Sequence, residues 1–237
     1  MSPYLSVIVP VLGEAERVPG IVRHVRLRAL ESGLDVELVM VDGDPAGSSL
    51  VALNDSDVVS LIAEPCRSGQ MNAGARASRG EHLLFLHADT LLPPGAFTRL
   101  QQVMDLGFAQ AGAYDLEFDD SSWTLRLVAA AARLRSRLER CPYGDQALFF
   151  PRAVFFGLGG FPGIPIMEDV ELMQLVRRRG LPLCILPDRV ITSARRYRRQ
   201  GVWRCVLRNL RMRTGHALGM RHADLATMYP PHSQESR

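Results

Sequence analysis

Arg67-Ser-Gly-Gln-Met-Asn-Ala-Gly74 is a polar, glycine-bearing turn that leads through Gly80 into Leu83-Leu-Phe-Leu-His-Ala-Asp-Thr90, a buried-looking strand with Asp89 just past its end. A run of Leu and Phe ending in Asp aims a carboxylate out of the carboxyl edge of a sheet, where open α/β folds bind their ligands. A hard divalent cation takes such oxygen ligands and shares them with substrate phosphates. The chemistry suggested is a nucleotide-diphosphate and metal site. Asp89 is then a metal ligand, unless it only caps the turn before Pro93. His87 is either a second ligand or a histidine at the edge of the core. Arg67, in front of a short helix whose free N–H groups attract anions, suits a diphosphate contact, with Gln70 and Asn72 as polar neighbours. The alternative for Arg67 is a solvated surface arginine.

These side chains need a scaffold, and hydrophobic spacing supplies one. Residues 5–11 read as a buried strand, followed by Val18, Ile21, Val22, Val25 and Ala29 at helical spacing. Residues 37–41 form a second strand ending at Asp42-Gly-Asp44, and 58–63 a third. A helix from about Gln70 to Arg79 and a strand over 82–86 complete the first ninety residues. Strands alternating with helices call for a mostly parallel sheet with helices on both faces. Beyond Pro93-Pro94 we expect a helix to about Leu106, a strand over 112–118, and a long helix capped by Ser121 and carrying Trp123, Leu127, Leu134 and Leu138. A strand over 146–150, a Gly-rich loop at 159–163, a helix over 168–179 and a strand over 182–186 follow. An amphipathic helix is expected over 202–218, and disorder in the last ten residues.

With 237 residues, 47% of them hydrophobic, the chain can bury a full core as one domain with a small appendage. We expect residues 1–190 to be the catalytic domain, with 1–92 for nucleotide and 93–190 for acceptor, and 191–237 to be a basic tail. The net charge of +3 conceals an asymmetry: every basic residue is Arg, and no acid occurs between Asp188 and Asp224, a span holding ten Arg. Cys66, Cys141, Cys184 and Cys205 include no C-x-x-C pair, so neither a zinc site nor a disulfide framework is indicated. No apolar run approaches the ~18 residues that a spanning helix needs, and no basic leader precedes the first strand. The expected location is cytoplasmic, or peripheral to the inner face of the membrane.

Four signals in order, Ser6-Val-Ile-Val-Pro10 with Glu14, the strand-ending Asp42, His87-Ala-Asp89, and Glu168-Asp169 at a helix start, resemble the nucleotide-sugar-dependent glycosyltransferases of family 2, with the GT-A fold. Finer wording, including Gly69-Gln-Met-Asn-Ala-Gly74, Gly144-Asp-Gln146, Gly159-Gly-Phe-Pro162, Met167-Glu-Asp169 and Ser193-Ala-Arg-Arg196, is similar to a bacterial radical-SAM-associated subgroup linked to arsenosugar biosynthesis. Two residues depart from the family pattern. Gly13 stands where Asn is usual, and His87 replaces the first acid of the D-x-D motif, so metal would lean on diphosphate oxygens and water.

The resemblance implies a metal-assisted transfer, with Mg2+ or Mn2+, of a sugar from a nucleotide-diphosphate sugar (UDP first) to a hydroxyl of a small-molecule or lipid-linked acceptor, with inversion. Asp169 is the implied base, although acids at 168, 169 and 171 also suit a helix N-terminus. Pro10, Val11 and Glu14 are expected near base and ribose, unless Glu14 is an ordinary first-turn acid of a helix, with Asp42 at a uracil-like imide N–H and Ala88 beside the nucleotide; Arg196, with Arg195, either folds back over the diphosphate or belongs to a solvated basic face. Gly144-Asp145-Gln146 either lines the acceptor pocket or is a plain turn. The tail, with Trp203 among its arginines, suits an anionic membrane surface unless its apolar side packs on the domain; no nucleic-acid motif is present. Two rivals remain: a sugar-1-phosphate nucleotidyltransferase, disfavoured by the acidic loop Leu12-Gly-Glu-Ala-Glu-Arg17, and a non-catalytic nucleotide- or lipid-binding scaffold.

Overall fold

The computed structural model describes residues 2–51, 53 and 55–229. The expectation of disorder in the last ten residues falls, from 230 on, outside the described part. β1 (Leu5–Val11), α1 (Val18–Ser32), β2 (Val36–Asp42), β3 (Val58–Ile62), α2 (Arg67–Ala77) and β4 (His82–Phe85) form the first half in the expected order. β5 (Thr90–Leu91), α3 (Ala96–Asp105), β6 (Ala111–Phe118), α4 (Trp123–Glu139), a 3-10 turn at Gly144–Gln146, β7 (Phe149–Pro151), α5 (Arg152–Gly157), α6 (Glu168–Arg178) and β8 (Leu183–Thr192) form the second. Three further helices end the described chain: α7 (Arg195–Gln200), α8 (Val202–Ala217) and α9 (His222–Thr227).

The eight strands make one sheet in the order β3-β2-β1-β4-β7-β6-β8-β5. β1 is parallel to β2 and β4, β2 to β3, and β6 to β8, while β7 and β5 run antiparallel to their neighbours. The sheet is therefore mixed and mostly parallel, with helices on both faces. Alternation along β1 divides the core: Leu5, Val7, Val9 and Val11 face α1, α3 and α4, whereas Ile8 faces α2 and α6. Among the described residues no helix is long and apolar enough to cross a membrane.

Local differences have local causes. α2 begins at Arg67, three residues before the expected start, so Arg67 lies within its first turn. Gly74 lets this helix press on the sheet: a Cβ there would sit 2.6 Å from Ile8 Cγ2 and 3.0 Å from Val41 Cγ2. The expected strand over 146–150 begins only at Phe149, because Gln146 is drawn into the 3-10 turn by bonds to Ser136 and to the carbonyl oxygen of Tyr114. β8 runs on to Thr192, so the expected boundary at 190 falls inside a strand. α4 starts after Ser122 rather than Ser121, and it buries Leu125 and Ala129 while Trp123, Leu127, Leu134 and Leu138 stay exposed.

Candidate active site

A cleft of about 810 Å³ opens at the carboxyl ends of β1 and β4. Pro10 and Val11 form its floor at the end of β1, and His87, Ala88 and Asp89 enter just beyond β4. Glu168 and Asp169 come from the first turn of α6, and Arg195 and Arg196 from α7. The cleft thus gathers residues far apart in sequence, as expected for a ligand site at the carboxyl edge of an open sheet.

The acidic wall is held by backbone. Met167, directly before α6, adopts φ +68, a left-handed conformation unfavourable for a side chain of its size, and this turn presents Glu168 and Asp169. Asp169 Oδ2 accepts the Gly144 N–H at 2.6 Å, and its Oδ1 accepts the Val170 N–H at 2.7 Å. A Cβ on Gly144 would lie 3.1 Å from His87 Nε2 and 3.3 Å from Asp169 Oδ2, so the glycine sits between these two side chains. Burial, then the neighbouring Asp169 charge, pushes the Glu168 carboxyl upward, with Arg67 opposing. Asp145 is raised to about 6 by desolvation, reinforced by the charges of Asp169 and Asp89. Its Oδ1 is shielded from solvent and has no hydrogen-bond partner.

Basic side chains line the same cleft. Arg67, Arg195, Arg196, Arg199 and Arg213 all reach the cleft. Arg17 Nε pairs with Glu14 Oε2 at 2.9 Å and Arg17 Nη1 lies 4.0 Å from Asp89 Oδ2, while Arg195 approaches Glu14 Oε1 at 3.5 Å. Desolvation raises the Glu14 carboxyl, against the pull of Arg17 and Arg195. Arg196 lies over the Tyr229 ring at 4.5 Å. The C-terminal helices therefore wall the cleft, with Met212 and Tyr229 among their contributions.

Three expected binders have other partners. Asp42 is fully buried, and its carboxylate accepts the N–H groups of Asp44 (3.0 Å) and Ser49 (2.7 Å) and the Ser49 hydroxyl (3.1 Å). It holds the loop after β2 and does not line the cleft. Gln70 lines it but donates Nε2 to the carbonyls of Val11 and Val41, both at 2.8 Å, tying β1 to β2. Asn72 pairs reciprocally with the Phe161 backbone at 2.8 and 2.9 Å, anchoring the Gly-rich loop. Sequence reasoning left Asp145 undecided between pocket and turn, and did not single out Arg17, Arg199, Arg213 or Tyr229. The Gly144-Asp-Gln146 spacing was the available signal for the first; Arg17 is placed by its pairing with Glu14 in the loop after β1, and Arg199, Arg213 and Tyr229 depend on how the tail folds back.

Comparison with known proteins adds to this geometry. The sequence model of the family described as glycosyl transferase family 2 matches residues 6–163. The undecaprenyl-phosphate 4-deoxy-4-formamido-L-arabinose transferase of Pseudomonas aeruginosa (strain LESB58) is 29% identical over 169 residues, covering 65% of this chain and 50% of that protein. Its counterpart in Pseudomonas fluorescens (strain SBW25) is 26% identical over 170 residues, with the same coverage. The chain thus spans about half the length of the curated relatives it matches. Among solved structures, the mannosyltransferase PcManGT from Pyrobaculum calidifontis, in complex with GDP-Man and Mn2+, superimposes with a TM-score of 0.64 at 18% identity, covering 98% of this chain and 66% of that one. S. aureus TarS (residues 1–349) gives 0.60 at 13% identity, covering 82% of this chain and 61% of that one. At such identities the likeness carries the fold alone, and it is the GT-A-like fold expected from the sequence.

Proposed function

This chain belongs to glycosyl transferase family 2, and on that premise we propose that it moves a sugar from a nucleotide-diphosphate sugar to an acceptor oxygen. One observation carries the reading: Asp89, Asp145, Glu168 and Asp169 share a single cleft with Arg67, Arg195 and Arg196 at the carboxyl edge of the parallel strands. A departing nucleoside diphosphate needs positive charge on one side, and a reacting sugar needs carboxylates on the other.

The oxygen-rich acidic wall fits a hard divalent ion. The unpartnered, buried Asp145 Oδ1 is a donor in want of a cation, close enough to Asp89 and Asp169 for their charges to raise it. Asp89, with Asp145 and His87 beside it, would hold Mg2+ or Mn2+, and the PcManGT complex contains Mn2+. Such an ion would offset the charge gathering on the leaving diphosphate. Arg67, Arg195 and Arg196 would hold the phosphates, and Pro10, Val11, Glu14 and Ala88 would flank the nucleoside. UDP is the first nucleotide to test.

Asp169 is the base. Its two backbone N–H donors fix the carboxylate in orientation, ready to take a proton from an acceptor hydroxyl as the sugar carbon gains positive character. In-line attack opposite the leaving group makes the transfer inverting. The curated relatives are named for an undecaprenyl-phosphate acceptor, which supports a lipid-borne acceptor here. The exposed Trp203, Leu207 and Leu210 on α8 and Leu218 just past its end, among exposed Arg204 and Arg211, supply an apolar and cationic face suited to an anionic membrane surface. The arsenosugar connection rests on sequence resemblance; the relatives named above do not carry it, and the acceptor is proposed without it.

The test is calorimetric titration of UDP, GDP, ADP and CDP, with and without Mn2+, into the wild type and Asp89→Ala. Metal-dependent preference for one nucleotide, lost in the variant, supports donor class and metal site together. Folded protein that binds none of them returns the balance to the scaffold reading.

A further inference from the structure

Outside the cleft, three helices bring their metal-binding side chains to one point. Glu171 stands in the first turn of α6, His216 near the end of α8 and His222 at the start of α9. Their nearest donor atoms all lie within 4.8 Å of one another. His216 Nε2 is 2.9 Å from Glu171 Oε1, and His222 Nε2 is 3.6 Å from that same oxygen. The two imidazole rings stand edge to face, with centroids 5.5 Å apart.

A hydrogen bond between His216 and Glu171 accounts for only one of these contacts. His222 Nε2 is sealed from solvent, makes no hydrogen bond and still points at the shared carboxylate oxygen. A buried imidazole nitrogen without a partner costs free energy, and one held beside two further ligand atoms has an evident occupant. The turn that delivers it is tightly packed. A Cβ on Gly215 would lie 2.6 Å from Met220 Sδ and 3.0 Å from Leu225 Cδ2, so the α8–α9 connection is pressed against α8, which keeps the two histidines close together. Arg178 lies 3.9 Å from the other carboxylate oxygen, Oε2, which leaves Oε1 to the histidines.

We propose that Glu171, His216 and His222 form a transition-metal site, separate from the cleft, that takes Zn2+ and clips the C-terminal helices to α6. Two imidazoles and one carboxylate are a ligand set for zinc and its neighbours, not for Mg2+, which prefers oxygen alone. Bonds of about 2.0–2.2 Å in tetrahedral geometry need ligand–ligand edges of about 3.3–3.6 Å, so the contacts need shift only by tenths of an ångström to about one ångström. The fourth position is left for water. α6 carries Asp169 in its first turn, and α8 and α9 lead to Met212 and Tyr229 on the cleft wall, so the clip would join two walls of the cleft. The inference does not depend on the glycosyltransferase reading, because its readout is metal binding.

The experiment uses the full chain without an affinity tag, stripped of metal by chelation and shown to be folded by circular dichroism. Zn2+ is titrated against a chromophoric chelator, and thermal unfolding is followed with Zn2+ or Mg2+ added. The expected result is one tight equivalent of Zn2+ per chain and a higher Tm with Zn2+ but not with Mg2+. His222→Gln and Glu171→Gln should each lower the affinity by more than the ~10- to 100-fold that outer-shell changes cost, while Asp89→Ala keeps it. No tight equivalent in the wild type, or one that persists in the folded His216→Gln/His222→Gln double variant, overturns the proposal.

Discussion

The Gly144 backbone N–H donates to Asp169 Oδ2 at 2.6 Å, joining the turn after α4 to the first turn of α6. This bond orients the carboxylate proposed as base. Asp169→Asn keeps the shape of the side chain but cannot take a proton. We expect kcat to fall about 10²- to 10⁴-fold with donor KM nearly unchanged, measured by nucleotide release in steady-state assays with the acceptor present. Retained turnover would mean an acceptor oxygen that arrives already ionised, as a phosphate does.

Asp145 predicts a pH-dependent stability. Its carboxyl rises from the usual 3.8 to about 6 in the fold, so ionising it costs folding free energy. Below the unfolded value both states are protonated and the cost is absent; it grows as pH rises and is complete above about 6. Asp145→Asn should therefore stabilise the metal-free protein by about 1–3 kcal/mol at pH 7.5 and hardly at pH 3.5. Denaturant unfolding at the two pH values checks this, and the same variant should weaken Mn2+-dependent nucleotide binding.

Asn72 predicts a split between turnover and binding. Its amide bonds twice to Phe161, so Asn72→Ala should cost about 1–3 kcal/mol of stability and slow turnover through the loosened 159–163 loop. Nucleotide affinity by calorimetry should change less than about threefold. A loss of more than tenfold would return Asn72 to the diphosphate.

Gln70 makes a similar case inside the sheet. Gln70→Leu removes both bonds that tie the ends of β1 and β2, and each carbonyl keeps only its remaining partners. A loss of about 1–2 kcal/mol in urea unfolding is expected, with the metal requirement for nucleotide binding unchanged.

The α8 face predicts lipid dependence. Trp203 is 64% exposed, and Leu207 and Leu210 are about half exposed. Trp203→Ser with Leu207→Ser should reduce co-sedimentation with anionic vesicles at least about tenfold, since each large apolar side chain withdrawn from water contributes about 1.5–3 kcal/mol, without lowering Tm. Wild-type protein that ignores anionic and neutral vesicles alike would remove membrane contact from the proposed function.

The sequence by itself determined the alternation of strands and helices, and with it the carboxyl edge where His87, Asp89 and Pro10 meet. Hydrophobic periodicity is a local property, so β1, β2, β4 and α1 were legible from spacing alone. Asp169 and Arg196 were legible because ordered motifs carried them. Tertiary structure decided what side chains of one chemical type do once neighbours arrive. Asp42, Gln70 and Asn72 suit ligand binding by residue type, and in the folded chain each is bonded to backbone groups that its own sequence neighbourhood did not announce. Asp145 was open between pocket and turn, and the fold settles its surroundings: its Oδ1 is shielded without a hydrogen-bond partner, and the charges of Asp169 and Asp89 reach it from distant elements. α4 was expected as a helix, yet which of its faces is buried depends on β6 and α8, and Trp123, Leu127, Leu134 and Leu138 remain in solvent. Glu171, His216 and His222 have no spacing that signals a site, because three separate helices bring them together. Local patterns are encoded within a few residues, whereas a site is a convergence of distant ones, and only the folded chain holds that information.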